Sequence, residues 1–385
     1  MTKNIILCCD GTGNEIEENL SNVFKLYRVL EQNDRQLVYY DPGIGTLGRT
    51  SAWSRFKQNV RSVFGLTTGL GLDDNVTDAY RFLCQHYEPG DQVFLFGFSR
   101  GAYTVRVLAG FLRLVGLLRP EQDNLADYAF TAYKQAAEKD SFTIAWRFQR
   151  VVGATEIPIR FIGVWDTVSS VIVPRPDRLY IPSLQTLPYT ATNENVTVFR
   201  HALAIDERRT MFRANLWTQP QLFRPNRFDP EGGTAQDIKQ VWFAGVHADI
   251  GGGYPEGESA IAKFPLDWMI REAKAHGLLV KTTMVNHLVL GKPRKGASRN
   301  YVAPDPAGQA HNSLSWGWKM LEWIPKPVKW RSWLKRRSLL GWYIPWAEPR
   351  HIPEGASIHH SVQDRMQLAP DYQPVNLPAT YVVEP

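Results

Sequence analysis

Gly97-Phe98-Ser99-Arg100-Gly101 is the stretch whose residue types and spacing speak most directly of chemistry. The apolar run Val93-Phe94-Leu95-Phe96 precedes it, and Val105, Leu108, Ala109 and Leu112 follow at helical spacing. A serine at such a strand-to-helix turn sits in strained backbone, and small neighbours at Gly97 and Gly101 let the chain turn and the helix pack closely. The hydroxyl then projects above the sheet at a helix N-terminus, where developing negative charge is stabilised. The pattern points to nucleophilic attack by Ser99, with the backbone amide of Arg100 donating to an oxyanion.

A serine nucleophile needs a base and a group that orients the base. Asp166 follows the apolar run ending at Trp165, and His247 follows the run Val241–Val246. Both lie downstream of Ser99, in the order serine, acid, histidine. His247 also precedes the glycine run Gly251-Gly252-Gly253. His201 and His360 are the alternative bases, and Asp206 and Asp249 the alternative acids. Asp10-Gly11-Thr12-Gly13-Asn14 closes the first apolar run, so the amide of Gly11 or Thr12 could supply the second oxyanion donor, or the loop could cradle a phosphate. Metal-dependent phosphoester hydrolysis is a separate alternative, with Asp10, Asp249 and His247 as ligands beside Asp166. The leading reading needs no cofactor and no metal.

These residues need strands to present them. Short apolar runs at Ile5–Cys9, Leu37–Tyr40, Gln92–Phe96, Ile159–Trp165 and Val241–Val246 read as buried strands. Amphipathic stretches after Ser21, over 73–88, 102–116, 124–139 and 261–276 read as helices. Strand and helix in alternation imply an α/β fold, a three-layer sandwich with a mainly parallel central sheet covered on both faces. Such folds bind ligands outside the carboxyl ends of their strands, which is where Asp10, Ser99, Asp166 and His247 fall. Residues 170–240 read as a loop-rich insertion near the active site, within a single domain spanning 1–385. Gly43-Ile44-Gly45-Thr46-Leu47-Gly48 spells a dinucleotide fingerprint, but no acidic residue lies between Gly43 and Leu72 to hold a ribose.

Composition narrows the class. With 385 residues, 44% hydrophobic and 21% charged, the chain can bury a large core and is not a disordered one. Cys8, Cys9 and Cys84 cannot form a disulfide framework, which suits a reducing, cytoplasmic compartment. No signal-peptide pattern opens the chain, and no apolar run reaches the roughly 18 residues of a membrane span. The net charge of +6 is uneven: residues 281–350 hold 13 Lys/Arg against Asp305, Glu322 and Glu348, a local +10. Seven of the 13 Trp lie within 316–346. Interleaved Trp and cations suit a lipid surface, with Trp316, Trp318, Trp330, Trp333, Lys335, Arg336 and Arg337 as the contacts and a location peripheral to a membrane. An ordinary packed layer is the structural alternative. Aromatic stacking and cations would also suit nucleic acid, though no nucleic-acid partner is expected.

The ordered set of motifs resembles the uncharacterised α/β-hydrolase family related to the catalytic domain of type VI secretion phospholipase effectors. The matching stretches are Cys9-Asp10-Gly11-Thr12, Tyr40-Asp41-Pro42-Gly43, Gly97-Phe98-Ser99-Arg100-Gly101, Gly163-Val164-Trp165-Asp166, His201 to Glu207, Trp242 to Tyr254, and Ile358 to Val362 with Arg365. The resemblance implies an α/β-hydrolase fold, a serine esterase or phospholipase A-type activity, and an ester or phospholipid substrate. It supports Ser99, Asp166 and His247. Secreted effectors that resemble this chain carry additional anchoring or delivery regions, so export by a type VI-like route is an expectation that this sequence does not itself support. A non-catalytic membrane-surface module is the remaining alternative. Partner proteins are unknown.

Overall fold

The computed structural model describes residues 2–11, 19–43, 71–138, 142–168, 172–174, 182–184, 187–226, 232–333 and 336–385. Thr12, Lys335 and most of the Gly43–Gly48 run lie outside them. Eight strands form one sheet: β1 (Asn4–Cys9), β2 (Gln36–Asp41), β3 (Gln92–Phe98), β4 (Ile159–Trp165), β5 (Val196–Ala204), β6 (Asp237–Phe243), β7 (Ala356–His359) and β8 (Tyr381–Glu384). Their order across the sheet is β8-β7-β6-β5-β4-β3-β1-β2. Every neighbouring pair runs parallel.

The connecting helices include α1 (Asn22–Val29), α2 (Leu72–His86), α3 (Arg100–Val115), α4 (Ala126–Glu138) and α5 (Thr143–Val152). Further along are α6 (His247–Gly251), α7 (Lys263–Ala275), α8 (Thr282–Leu288), α9 (Trp316–Glu322) and α10 (His360–Leu368). Alternate residues of β1 feed opposite faces of the sheet. Ile5, Leu7 and Cys9 pack with α2, α3 and α4, while Ile6 and Cys8 pack with α1, α7 and α8. Two-sided burial explains why these strands read as continuous apolar runs rather than alternating ones. All three cysteines are buried and free. Among the described residues no helix is long and apolar enough to cross a membrane.

The strand order reverses direction between β1 and β3, so the chain crosses over on either side of that junction. Such a switch point opens a crevice at the carboxyl edge. The register aligns the edge: Cys9 pairs with Gly97, Phe98 with Trp165, and Trp165 with Ala202. Asp10, Ser99 and Asp166 therefore leave the sheet side by side. At the turn after β3 the chain has no room for a side chain. A Cβ on Gly101 would lie 2.0 Å from the Cys9 carbonyl oxygen, and one on Gly97 would lie 2.4 Å from the Gly101 carbonyl oxygen. The first turn of α3 is pressed directly onto the end of β1.

The segment 170–240 departs from its loop-like reading, because it contains β5, a nine-residue strand in the middle of the sheet. Two ionisable residues, Arg200 and His201, interrupt its apolar pattern, and both are buried. Arg200 is neutralised by Asp237 at 2.7 Å and Glu272 at 2.6 Å. The His201 ring accepts the Thr167 N–H at its Nε2, 3.1 Å away. Helix α5 and the short strands β7 and β8 likewise escaped the periodicity reading.

Two consequences are measurable. We expect Gly101→Ala to lower stability in urea unfolding by at least about 3 kcal/mol, because backbone must move to admit the methyl group; a variant as stable as the parent would contradict the close approach. Burial and the Arg106 charge push His201 down to about 3 from 6.5. Below about pH 6.5 the unfolded chain binds a proton that the folded chain refuses, so this contribution is present above that value and lost as pH falls. We expect His201→Gln to flatten the stability profile between about pH 4 and 6.5 by close to one proton, ~1.4 kcal/mol per pH unit.

Candidate active site

Ser99 stands between β3 and α3 with φ 57 and ψ −117. A positive φ on a serine is costly, of order 1–3 kcal/mol, and persists only where the surroundings impose it. Here the Ser99 N–H donates to the Trp165 carbonyl at 3.1 Å, and the Ser99 carbonyl accepts from the Tyr103 N–H at 3.2 Å. The strained residue is thus tied to β4 on one side and to the helix on the other. Its Oγ lies 2.8 Å from Nε2 of His247.

His247 opens α6, directly after the turn that follows β6, and its backbone N–H donates to Glu207 at 3.2 Å. Two aromatic side chains pack against the ring, Phe98 with ring centroids 4.7 Å apart and Phe212 at 4.9 Å in edge contact. Its second nitrogen, Nδ1, lies 2.6 Å from Oδ2 of Asp166.

Asp166 is fully buried and takes a positive φ of 39 at the end of β4. Burial alone would raise its carboxyl. The Arg350 guanidinium and the His247 ring overcome that and hold it far below the ordinary carboxylate range. Arg350 binds both oxygens, at 2.5 Å to Oδ1 and 2.9 Å to Oδ2, and the Ala204 N–H donates to Oδ1 at 3.0 Å. An ionised carboxylate only accepts, so the proton on His247 resides on Nδ1 and leaves Nε2 as the acceptor facing the Ser99 hydroxyl.

The alternative acids and bases go elsewhere. His201 bonds the Thr167 amide, as described above. His360 begins α10, with Asp364 3.9 Å from its Nε2. Asp206, pushed up to about 6 by burial, accepts from the Gly245 N–H and the Tyr372 hydroxyl. Asp249 caps the start of α6 through the Val246 N–H and pairs with His311 at 2.7 Å; burial raises its carboxyl. Asp10 accepts from the Gly11 N–H, the Ser21 hydroxyl and the Tyr40 hydroxyl. Asp10, Asp249 and His247 are thus each bound in a separate cluster, and among the described residues no group of three His, Cys, Asp or Glu side chains could hold a metal ion. The Gly11 amide, expected to face an oxyanion, is engaged by Asp10 at 2.7 Å.

Arg350, Glu207 and Phe212 escaped the reading of individual residues. Glu207 is buried, and despite that burial Arg209 holds its carboxyl below the ordinary value. No local pattern marks Arg350, which belongs to the basic flank but turns its charge into the site.

The basic flank is sorted by packing. Trp318 is half-buried in edge contact with Phe212, and the Arg209 guanidinium lies over both rings. Trp330 is half-buried, and Trp333 donates to the Pro349 carbonyl at 2.8 Å. Arg336 pairs with Glu348 at 3.5 Å, whereas Arg337 is exposed. Of the Trp residues expected at a lipid surface only Trp316 is fully exposed. Trp323, Trp342 and Trp346, not singled out by sequence, are exposed beside it.

A family model described as T6SS, Phospholipase effector Tle1-like, catalytic domain matches residues 3–272. The uncharacterized protein YEL023C of Saccharomyces cerevisiae is 36% identical over 246 residues, covering 59% of this chain and 34% of the yeast protein. An uncharacterized protein of Pseudomonas aeruginosa aligns at 17% identity with TM-score 0.39, covering 73% of this chain and 46% of that one. The Tle1 effector, solved bound to the VgrG spike of the type 6 secretion system, aligns at 17% identity with TM-score 0.35, covering 68% and 53%. The chain therefore spans about a third of the yeast relative's length and about half of each solved chain. The family model covers well over half of the chain, and the chain belongs to the Tle1-like catalytic-domain family of type VI secretion phospholipase effectors.

Proposed function

We propose that this chain is a serine hydrolase that cleaves carboxylic esters of phospholipids through an acyl-enzyme. The observation that carries the reading is the His247 ring, with Nε2 2.8 Å from Ser99 Oγ and Nδ1 2.6 Å from Asp166. Family membership supports a lipid ester as the substrate class.

In this mechanism His247 Nε2 takes the proton from the Ser99 hydroxyl as Oγ forms its bond to the ester carbonyl carbon. Negative charge develops on the carbonyl oxygen, facing the Arg100 amide at the start of α3. The Gly11 amide, which serves Asp10, is not free to be the second donor. The imidazolium then returns its proton to the departing alcohol oxygen as the ester C–O bond breaks. Water, deprotonated by the same nitrogen, cleaves the acyl-serine and regenerates the hydroxyl. Asp166 holds the ring in its reactive tautomer throughout.

Arg350 acts as a positioning residue, since it reaches the reacting atoms only through Asp166. The charged groups facing His247 are Asp166 with Arg350 on one side and Glu207 with Arg209 on the other.

A fluorophosphonate probe tests the nucleophile: native protein labels and Ser99→Ala does not, while folded native protein that resists labelling overturns the mechanism. For Arg350 the readout is the split between kcat and KM. We expect Arg350→Met to lower kcat by about 10²-fold with KM little changed, and Arg350→Lys to recover part of the loss. An unchanged kcat in folded Arg350→Met would reduce Arg350 to a packing role.

A further inference from the structure

Helix α9 carries its apolar stripe on the wrong side for a packed helix. Trp316 and Met320 in the helix and Trp323 and Ile324 directly after it recur at spacings of three and four, the pattern of a buried face, yet all four are exposed, Trp316 at 77%. The inward face is held instead by a buried carboxylate. Glu322 accepts from the Thr210 N–H at 2.8 Å and from the Thr210 hydroxyl, while Trp318 lies against Phe212. The helix is therefore anchored with its hydrophobic side outward.

The stripe continues beyond the helix. Trp346 contacts Trp323, with ring centroids 5.8 Å apart. Trp346 also lines a recess of about 680 Å³ with Leu339, Trp342, Arg336 and Arg337. The turn beside it presents Leu339 and Leu340, the latter 91% exposed. Leu340 and Trp346 adopt positive φ values of 50 and 55, a conformation bulky residues avoid unless something compensates. Exposed Lys319 and Arg337 stand among these apolar groups.

We propose that this face seats the protein on an anionic phospholipid bilayer. Indoles and leucines enter the headgroup layer while the cations meet lipid phosphates. Charge complementarity selects this occupant. The exposed charges named on this face, Lys319 and Arg337, are both cationic and disfavour a second copy across a symmetric interface, and exposed Met320, Ile324, Leu339 and Leu340, unlike the indoles, give nucleic-acid bases no ring on which to stack. The face also adjoins the catalytic groups: α9 rests through Trp318 on Phe212, whose ring touches His247. Seated this way, the site meets its ester at the surface from which the substrate is drawn. The inference rests on the phospholipid-ester reading for its substrate but not for its test.

The test is co-sedimentation of Ser99→Ala protein with vesicles of phosphatidylcholine alone or mixed with phosphatidylglycerol. We expect binding to the mixed vesicles, weakened at least about tenfold by Trp316→Ser with Leu340→Ser, and weakened about fivefold by Arg337→Gln. In the Ser99 background the same substitutions leave turnover of a soluble short-chain ester unchanged and depress turnover on vesicles. Absence of binding, or equal binding by parent and variants, overturns the proposal. So does a dimer that the apolar substitutions dissociate, which would assign the face to a second copy. Vesicle binding by a native protein that cleaves no ester keeps the surface and removes the hydrolase reading.

Discussion

The carboxylate of Asp166 is a full charge buried at the end of β4, and the surrounding structure is organised to make it tolerable. Burying an isolated ion costs several kcal/mol even after relaxation. Here two guanidinium nitrogens of Arg350, one imidazole nitrogen and the Ala204 amide share that charge. Each donor comes from a different part of the chain: the flank beyond α9, the start of α6, and the end of β5. One anion thereby ties the flank segment that carries Arg350 to the ends of β5 and β6, which already lie side by side in the sheet. Because Arg350 already balances the charge, the contribution of Asp166 to the imidazole is orientation and tautomer more than raw negative potential. The further negative charge beside His247 belongs to Glu207, itself matched by Arg209.

The sheet supplies the other half of the geometry. A parallel order that reverses beside β1 brings the ends of β1, β3 and β4 to one edge. The glycines around Ser99 turn that edge into a fixed platform, since α3 sits on the β1 carbonyls with no side chain between. The strained serine is sustained by this packing and by hydrogen bonds to Trp165 and Tyr103. Strain at Ser99 and burial at Asp166 are thus offset by the same sheet.

Legibility in the sequence followed periodicity. Ser99, Asp166 and His247 could be singled out because each follows an uninterrupted apolar run, and the parallel sheet followed from the alternation of runs and helices. β5 was hidden because Arg200 and His201 interrupt its pattern, and their compensation by Asp237, Glu272 and Thr167 is tertiary. Arg350 was hidden for a related reason: its partner lies 184 residues away, and locally it is one more cation in a basic stretch. The Trp-rich flank misled in detail. Composition counted indoles, but the inward anchors Glu322 and Trp318 decide which rings face out.

The long reach of Arg350 also governs when the molecule becomes whole. The serine, the acid and the histidine all emerge from the ribosome well before the arginine that neutralises the acid. Asn376, later still, donates to the Arg350 and Ile205 carbonyls and closes that corner. A nascent chain stopped short of Arg350 lacks the guanidinium that holds both oxygens of Asp166. Completion of this corner therefore waits on Arg350 and Asn376, well after the sheet edge that they close has been synthesised.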